Sequence, residues 1–163
     1  MRPPTNPTAI AFQETIKQLD LSGRVVEFDQ TTRTAADAAA AIGCEVGAIV
    51  KSIIFQTSDS RQAVVVYTSG SNRVSEPLVE SLVGEKLGKA DADFVRSTTG
   101  FAIGGVPPFG YSKLAHTYID ESLLGYETVW AAAGTPNAVF PLAPADLQRL
   151  TGATVIKVTE EQT

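Results

Sequence analysis

The sequence predicts a single domain of mixed α/β (α+β) class. Three observations carry this. The chain has 163 residues, of which 44% are apolar and 19% charged; that closes one core and is too apolar for a disordered chain. Residues 47–55 and 61–68 are dense in β-branched and aromatic side chains and read as strands. Other segments carry helical apolar spacing or paired start and stop signals.

In chain order, residues 1–7 hold Pro3, Pro4 and Pro7 and are expected to form a flexible arm before a domain spanning 8–163. Residues 8–19 read as a helix, because Ile10, Phe12, Ile16 and Leu19 fall near 3.6-residue spacing. A short strand is expected over 24–28. Residues 34–43 form a helix with both ends marked: Thr34 can cap it, Asp37 suits the positive end of its dipole, and Gly43 can end it. Cys44 just beyond reads as a small buried hydrophobe.

The strand over 47–55 alternates Ile49, Lys51, Ile53 and Phe55 with Val50, Ser52 and Ile54. Both faces are mostly apolar, which predicts cover on both sides. Lys51 is then a cation among apolar neighbours. It either snorkels to the surface or lines a cleft and awaits an anion or a carbonyl oxygen.

Residues 56–60 are a polar turn, so the strand over 61–68 is expected to run antiparallel to the first. Ser75 can cap a helix that runs through Val83 and ends at Gly84. Lys86 and Lys89 follow in a polar connection, and 90–95 is a short helix. Residues 97–110 form a loop containing Gly100, Gly104, Gly105, Pro107, Pro108 and Gly110. Its G-x-x-x-G-G spacing is neither a dinucleotide fingerprint nor a phosphate loop. Its glycines allow close backbone approach to a ligand, and its N–H groups can form an anion nest; it can equally be a plain structural turn. Strands are expected over 116–120, 127–134, 138–142 and 153–158. Short helices are expected over 121–124, capped by Asp120, and over 145–150. Residues 159–163 are expected to fray.

Composition excludes several functions. The net charge of −5 argues against whole-surface attraction to nucleic acid. The single cysteine cannot form an internal disulfide, which fits the cytosol. With His116 the one histidine, no metal ligand set is convincing and no cofactor is expected. No apolar run is long enough to cross a bilayer, and Met1 to Pro7 has no secretory apolar segment.

The pieces Thr34 to Ala39, Ile49 to Phe55, Thr99 to Gly110, Tyr118-Ile119-Asp120, Val129 to Gly134 and Leu142 to Leu147 recur in an order with a known counterpart. The chain resembles the YbaK/prolyl-tRNA editing-domain family of aminoacyl-tRNA deacylases from about residue 24 to 158. The resemblance implies a curved, partly barrel-like central sheet flanked by helices. It implies hydrolysis in trans of the ester on a mischarged tRNA, bound by its acceptor end and often a proline tRNA, with prolyl-tRNA synthetase as a further partner. It places catalytic roles on Lys51 and Gly104, and substrate-binding roles on Phe28, Gly100, Gly105, Ala132 and Gly134. Some relatives carry a serine where this chain has Ala132, so that hydroxyl is missing here.

The chemistry fits those residue types. Ester hydrolysis develops negative charge on the carbonyl oxygen, and fixed donors lower that barrier. Lys51 and loop N–H groups can do this without a protein nucleophile. Three readings stay open at this point: a trans-acting deacylase, a non-catalytic module of the same fold that binds tRNA or a synthetase, and a lysine enzyme working through a Schiff base.

Overall fold

The computed structural model describes residues 1–29 and 34–159; the end expected to fray lies, beyond Thr159, outside them. Pro7–Gln18 forms α1. The Asn6 side chain accepts the Thr8 N–H at 2.8 Å, and Pro7 occupies the first turn, where a missing N–H costs nothing. Val26–Glu27 is β1, shorter than expected because only these two residues find register partners, Val139 and Ala138. Residues ahead of α1, expected as an arm, meet the other side of β1, where Arg2 and Glu27 exchange main-chain bonds of 3.0 and 2.8 Å.

Ala35–Ile42 is α2, with Thr34 accepting the Asp37 N–H at 3.1 Å and Gly43 at its end, as its sequence signals predict. A single 3₁₀ turn, Val46–Ala48, leads into β2, Ile49–Thr57. Ala63–Ser69 is β3 and pairs antiparallel with β2, Lys51 opposite Thr68. Ser75 caps α3, Glu76–Val83, by accepting the Leu78 N–H at 3.3 Å.

The next stretch corrects the sequence reading. Leu87–Lys89, expected as a polar connection, is β4 and pairs with the far end of β2. Ala92–Thr99 is α4, two turns starting at the Asp91 cap and running through Ser97, Thr98 and Thr99, which were expected in the loop. The Thr99 hydroxyl bonds back to the Val95 carbonyl at 2.8 Å, which keeps the last turn closed. Then follow β5 (His116–Asp120), the 3₁₀ turn Glu121–Gly125, β6 (Val129–Ala132), β7 (Ala138–Leu142), α5 (Pro144–Thr151) and β8 (Thr154–Ile156).

Among the described residues the strands join in one mixed, open sheet of order β1-β7-β6-β2-β3-β5-β8, with β4 attached to β2. The pairs β2–β6, β3–β5 and β5–β8 are parallel and the rest antiparallel. One face carries Val50, Val65, Tyr67, Ile119 and Phe140, packed with Phe12 and Ile16 of α1 and Leu147 of α5. On the other face Phe55, Val64 and Val66 meet Val79 of α3, while Ile49 and Trp130 meet Ala38 and Ala39 of α2. β2 is thus covered on both faces, as its two apolar faces predict. Val64, Val65 and Val66 are each 0% exposed, and burial of such a side chain is worth about 1.5–3 kcal/mol. This makes β3 the centre of the core.

Candidate active site

The two edges of β2 are occupied differently. Ile49 O accepts the Gly70 N–H at 2.7 Å, and Thr57 N–H donates to Gln62 O at 2.9 Å. In an antiparallel ladder the residues that bond to one neighbour alternate with those that turn away. Residues 49, 51, 53, 55 and 57 therefore turn their main chain to β3, and 50, 52, 54 and 56 to the opposite edge. There β6 pairs with Ile49 and Val50, and β4 pairs with Phe55 to Thr57. Among the described residues, 51–54 find no strand on that side. Both main-chain groups of Ser52 and the N–H of Ile54 face this notch.

A cleft of about 690 Å³ opens along the notch, in the range of small-molecule sites. Lys51, Ser52 and Ile54 form one wall, and Gly104 and Val106 another. Ala132 and Trp130 at the end of β6 close a third side. Ile103, 55% exposed, stands at the rim.

The glycine loop is held in place by three hydroxyls, one from β2, one from β3 and one from the residues just after the loop. Ser52 Oγ donates to Val106 O at 3.0 Å, Tyr67 Oη to Pro108 O at 3.0 Å, and Tyr111 Oη to Pro107 O at 2.8 Å. The Tyr67 and Tyr111 hydroxyl oxygens also lie 2.9 Å apart, so two hydroxyl protons are shared among three contacts. Burial pushes the Tyr111 phenol up to about 12 and the Tyr67 phenol well above its ordinary value, so both remain neutral. Within the loop, Gly105 N–H donates to Ala102 O at 2.9 Å and closes a turn whose third residue, Gly104, has φ +86°. That angle calls for glycine. The Gly104 N–H has no protein partner among the described residues, whereas the Gly105 N–H is already used.

Lys51 is half-buried. Its ammonium donates to the Asn72 carbonyl at 3.1 Å, one of three donors it carries. Burial lowers its pKa, and the Asp120 carboxylate works in the opposite sense. Asp120 is 1% exposed. It does cap the 3₁₀ turn, accepting Ser122 N–H at 2.9 Å, and it also accepts Ser69 N–H and Asn72 Nδ2, each at 3.0 Å.

Of the residues assigned from sequence, the structure brings Lys51, Gly104 and Ala132 to one cleft. Phe28, Gly100, Gly105 and Gly134 do not line it. Phe28 is 4% exposed and donates its N–H to Asn137 O. Gly100 closes α4, and Gly134 lies against Thr8 and Phe101. Gly105 is a close-packing glycine: a Cβ there would come within 2.7 Å of Thr135 Cα. Sequence reasoning missed Ser52, whose hydroxyl and main chain both serve the site, and Asn72, which holds the lysine. Ser52 had a signal, a lone hydroxyl on an apolar strand face; Asn72 had none. Among the described residues no three His, Cys, Asp or Glu side chains gather as a metal site, and no helix is long and apolar enough to cross a membrane.

The chain is 43% identical to a solved structure described as "a putative trans-editing enzyme for prolyl tRNA synthetase", with a TM-score of 0.87 over 97% of this chain and 100% of that one. It is 31% identical over 123 residues to the uncharacterized protein YwhH of Bacillus subtilis (strain 168), covering 76% of this chain and 78% of that protein. It is 24% identical over 129 residues, 79% of each chain, to the "Putative Cys-tRNA(Pro)/Cys-tRNA(Cys) deacylase EbsC" of Enterococcus faecalis (strain ATCC 700802 / V583). The aminoacyl-tRNA editing domain model matches residues 29–150, a span that carries the lysine strand, the glycine loop and the strand ending in Ala132. The chain belongs to the aminoacyl-tRNA editing-domain family, as its sequence resemblance implied.

Proposed function

We propose that this protein is an aminoacyl-tRNA deacylase acting in trans, and that its substrate is a proline tRNA carrying a wrong, small amino acid. The observation that carries this reading is the shared cleft. Lys51 and Gly104, distant in sequence and both free to donate, flank the same notch, and the wall at Ala132 is small. The likeness to the structure described as "a putative trans-editing enzyme for prolyl tRNA synthetase" supports the choice of tRNA.

In this reading water attacks the ester carbonyl carbon. The bond to the ribose oxygen of the terminal nucleotide then breaks, that oxygen takes a proton, and the free amino acid leaves. Negative charge gathers on the carbonyl oxygen in between. Free N–H donors of Lys51 and the Gly104 N–H are the groups offered to it, and one such donor is worth about 3–4 kcal/mol. The neighbouring ribose hydroxyl relays a proton from the attacking water to the departing ribose oxygen, so no protein base is required. Selection is by size: one missing methylene is worth only about 1–3 kcal/mol, whereas a larger side chain is refused by clash.

The test is a panel of proline and alanine tRNAs mischarged with alanine, serine or cysteine, assayed for release of the amino acid. Turnover of a small residue on proline tRNA, with correctly charged prolyl-tRNA spared, is the expected result. Tight tRNA binding without turnover would establish the binding-module reading instead, and a borohydride-trapped adduct on Lys51 the Schiff-base reading.

A further inference from the structure

We propose that Asp120 is a positioning residue for Lys51: the buried carboxylate fixes the turn after β3, and that turn holds the lysine ammonium at the cleft. This rests on the deacylase reading for its consequence, though not for its geometry.

Asp120 is at the end of β5, next to β3, and is 1% exposed. A carboxylate that buried must be satisfied by donors. Three of its bonds converge from two segments. Oδ1 accepts the Ser122 N–H at 2.9 Å. Oδ2 accepts the Ser69 N–H and Asn72 Nδ2, both at 3.0 Å. Asn72 Nδ2 also reaches Ser122 Oγ at 3.0 Å, and Asn72 N–H closes the turn on Ser69 O at 3.0 Å. Asn72 is therefore gripped at its side chain and at its N–H. Its carbonyl is left to receive Lys51 Nζ at 3.1 Å.

A helix cap needs only the Ser122 bond. The bonds to Ser69 and Asn72 serve the lysine side. The carboxylate also supplies the negative charge that burial at β2 otherwise withholds from Lys51. Among the described residues two other charged side chains line the same cleft, Glu76 at the start of α3 and Lys89 on β4; they are of opposite sign. The protonated lysine donates a charge-assisted bond to a developing oxyanion, and the neutral amine only a weak one. Removal of the Asp120 charge lowers the pKa of Lys51, so activity is lost at a lower pH as pH rises.

The experiment compares wild type, Asp120→Asn and Asn72→Ala. The Lys51 ammonium is titrated by NMR in the substrate-free protein, and deacylation of mischarged proline tRNA is followed against pH. In Asp120→Asn the expected result is a lower Lys51 pKa and an alkaline limb moved to lower pH. At neutral pH kcat falls on the order of 10- to 100-fold, the usual cost of a slightly misplaced group, while KM stays near wild type. Asn72→Ala keeps its main-chain carbonyl but loses its grip, and its kcat falls in the same direction with the charge in place. An unmoved Lys51 pKa in folded Asp120→Asn overturns the proposal. If that variant does not fold, wild-type kcat in Asn72→Ala overturns it. Absence of turnover in wild type on every tRNA would sink the deacylase reading alone, because the NMR titration still decides whether Asp120 governs Lys51.

Discussion

The two edges of β2 do opposite jobs. Toward β3 the pairing is continuous from Val50 to Gln56. On the other edge β6 and β4 take the two ends and, among the described residues, no strand pairs with 51–54. The continuous edge holds the centre of the core, with β3 buried along its whole length. The interrupted edge opens the cleft and offers main-chain groups to it. One strand thus supplies both the fixed edge of the core and the open edge of the cleft, and a site built on a fixed element keeps its geometry.

Lys51→Ala breaks this contrast most sharply. It should reduce kcat/KM on a responsive mischarged tRNA by on the order of 10²–10³, the usual cost of losing one oxyanion donor. The ladder to β3 does not depend on the ammonium, so the melting temperature should stay close to wild type. Activity assays and thermal melts on the same preparation check both halves. Wild-type rates would move catalysis away from the interrupted edge.

Gly104 and Gly105 separate function from packing on the facing wall. Gly104→Val forces a β-branched residue to φ +86°, at a cost of about 1–2 kcal/mol, and it distorts the free N–H. Its main effect should be lost turnover in a folded protein. Gly105→Ala places a Cβ against the Thr135 main chain and should lower the melting temperature first. Equal kinetics in Gly104→Val and wild type would reduce the loop to a structural turn.

Ala132→Leu probes the end of β6. As a cleft residue it should slow hydrolysis of the preferred substrate with little loss of stability. As a packing residue it would cost about 1–3 kcal/mol instead. Measurement of kcat/KM alongside the melting temperature on one variant tells these apart.

The smallest effect concerns a charge that is fully taken up. Glu27, on β1, is 3% exposed and receives donors from Thr5 and Asn6. Burial pushes its carboxyl up, but the bonds from Thr5 and Asn6 and the charge of Arg2 outweigh this, and its pKa lies below the ordinary 4.5. A depressed folded pKa contributes stability above the ordinary value, lost as pH falls through the folded one. Wild type should therefore lose stability on acidification below about pH 4.5, and Glu27→Gln should show a flatter acid limb in denaturant melts.

Much of this architecture was legible because its signals are local. Thr34, Ser75 and Gly84 mark helix ends through bonds within one turn. The valines of β3 declare a buried strand by composition. Lys51 stood out as a cation on an apolar strand; the glycine loop stood out as a loop, and the family resemblance picked Gly104 within it. What escaped depends on partners far along the chain. Leu87–Lys89 has no strand pattern of its own and becomes β4 only where β2 offers an edge. The notch follows from the register of β6 and β4 on β2, which no single segment encodes. Gly105 is fixed by Thr135, and the Asp120–Asn72 link joins two turns through bonds that neither segment announces. Phe28 was placed by the family resemblance, while its position beside Asn137 follows from the pairing of β1 with β7.

An unpaired strand edge ordinarily invites another polypeptide to add itself to the sheet. The interruption in β2 does not extend that invitation. It is bounded by β6 after Val50 and by β4 from Phe55 onward, so a foreign strand would collide with both before it gained a useful ladder. Only a compact group has room between the two stops. The flanking strands act as a length filter: they expose main-chain donors and acceptors to small guests and deny them to the self-association that open β edges promote.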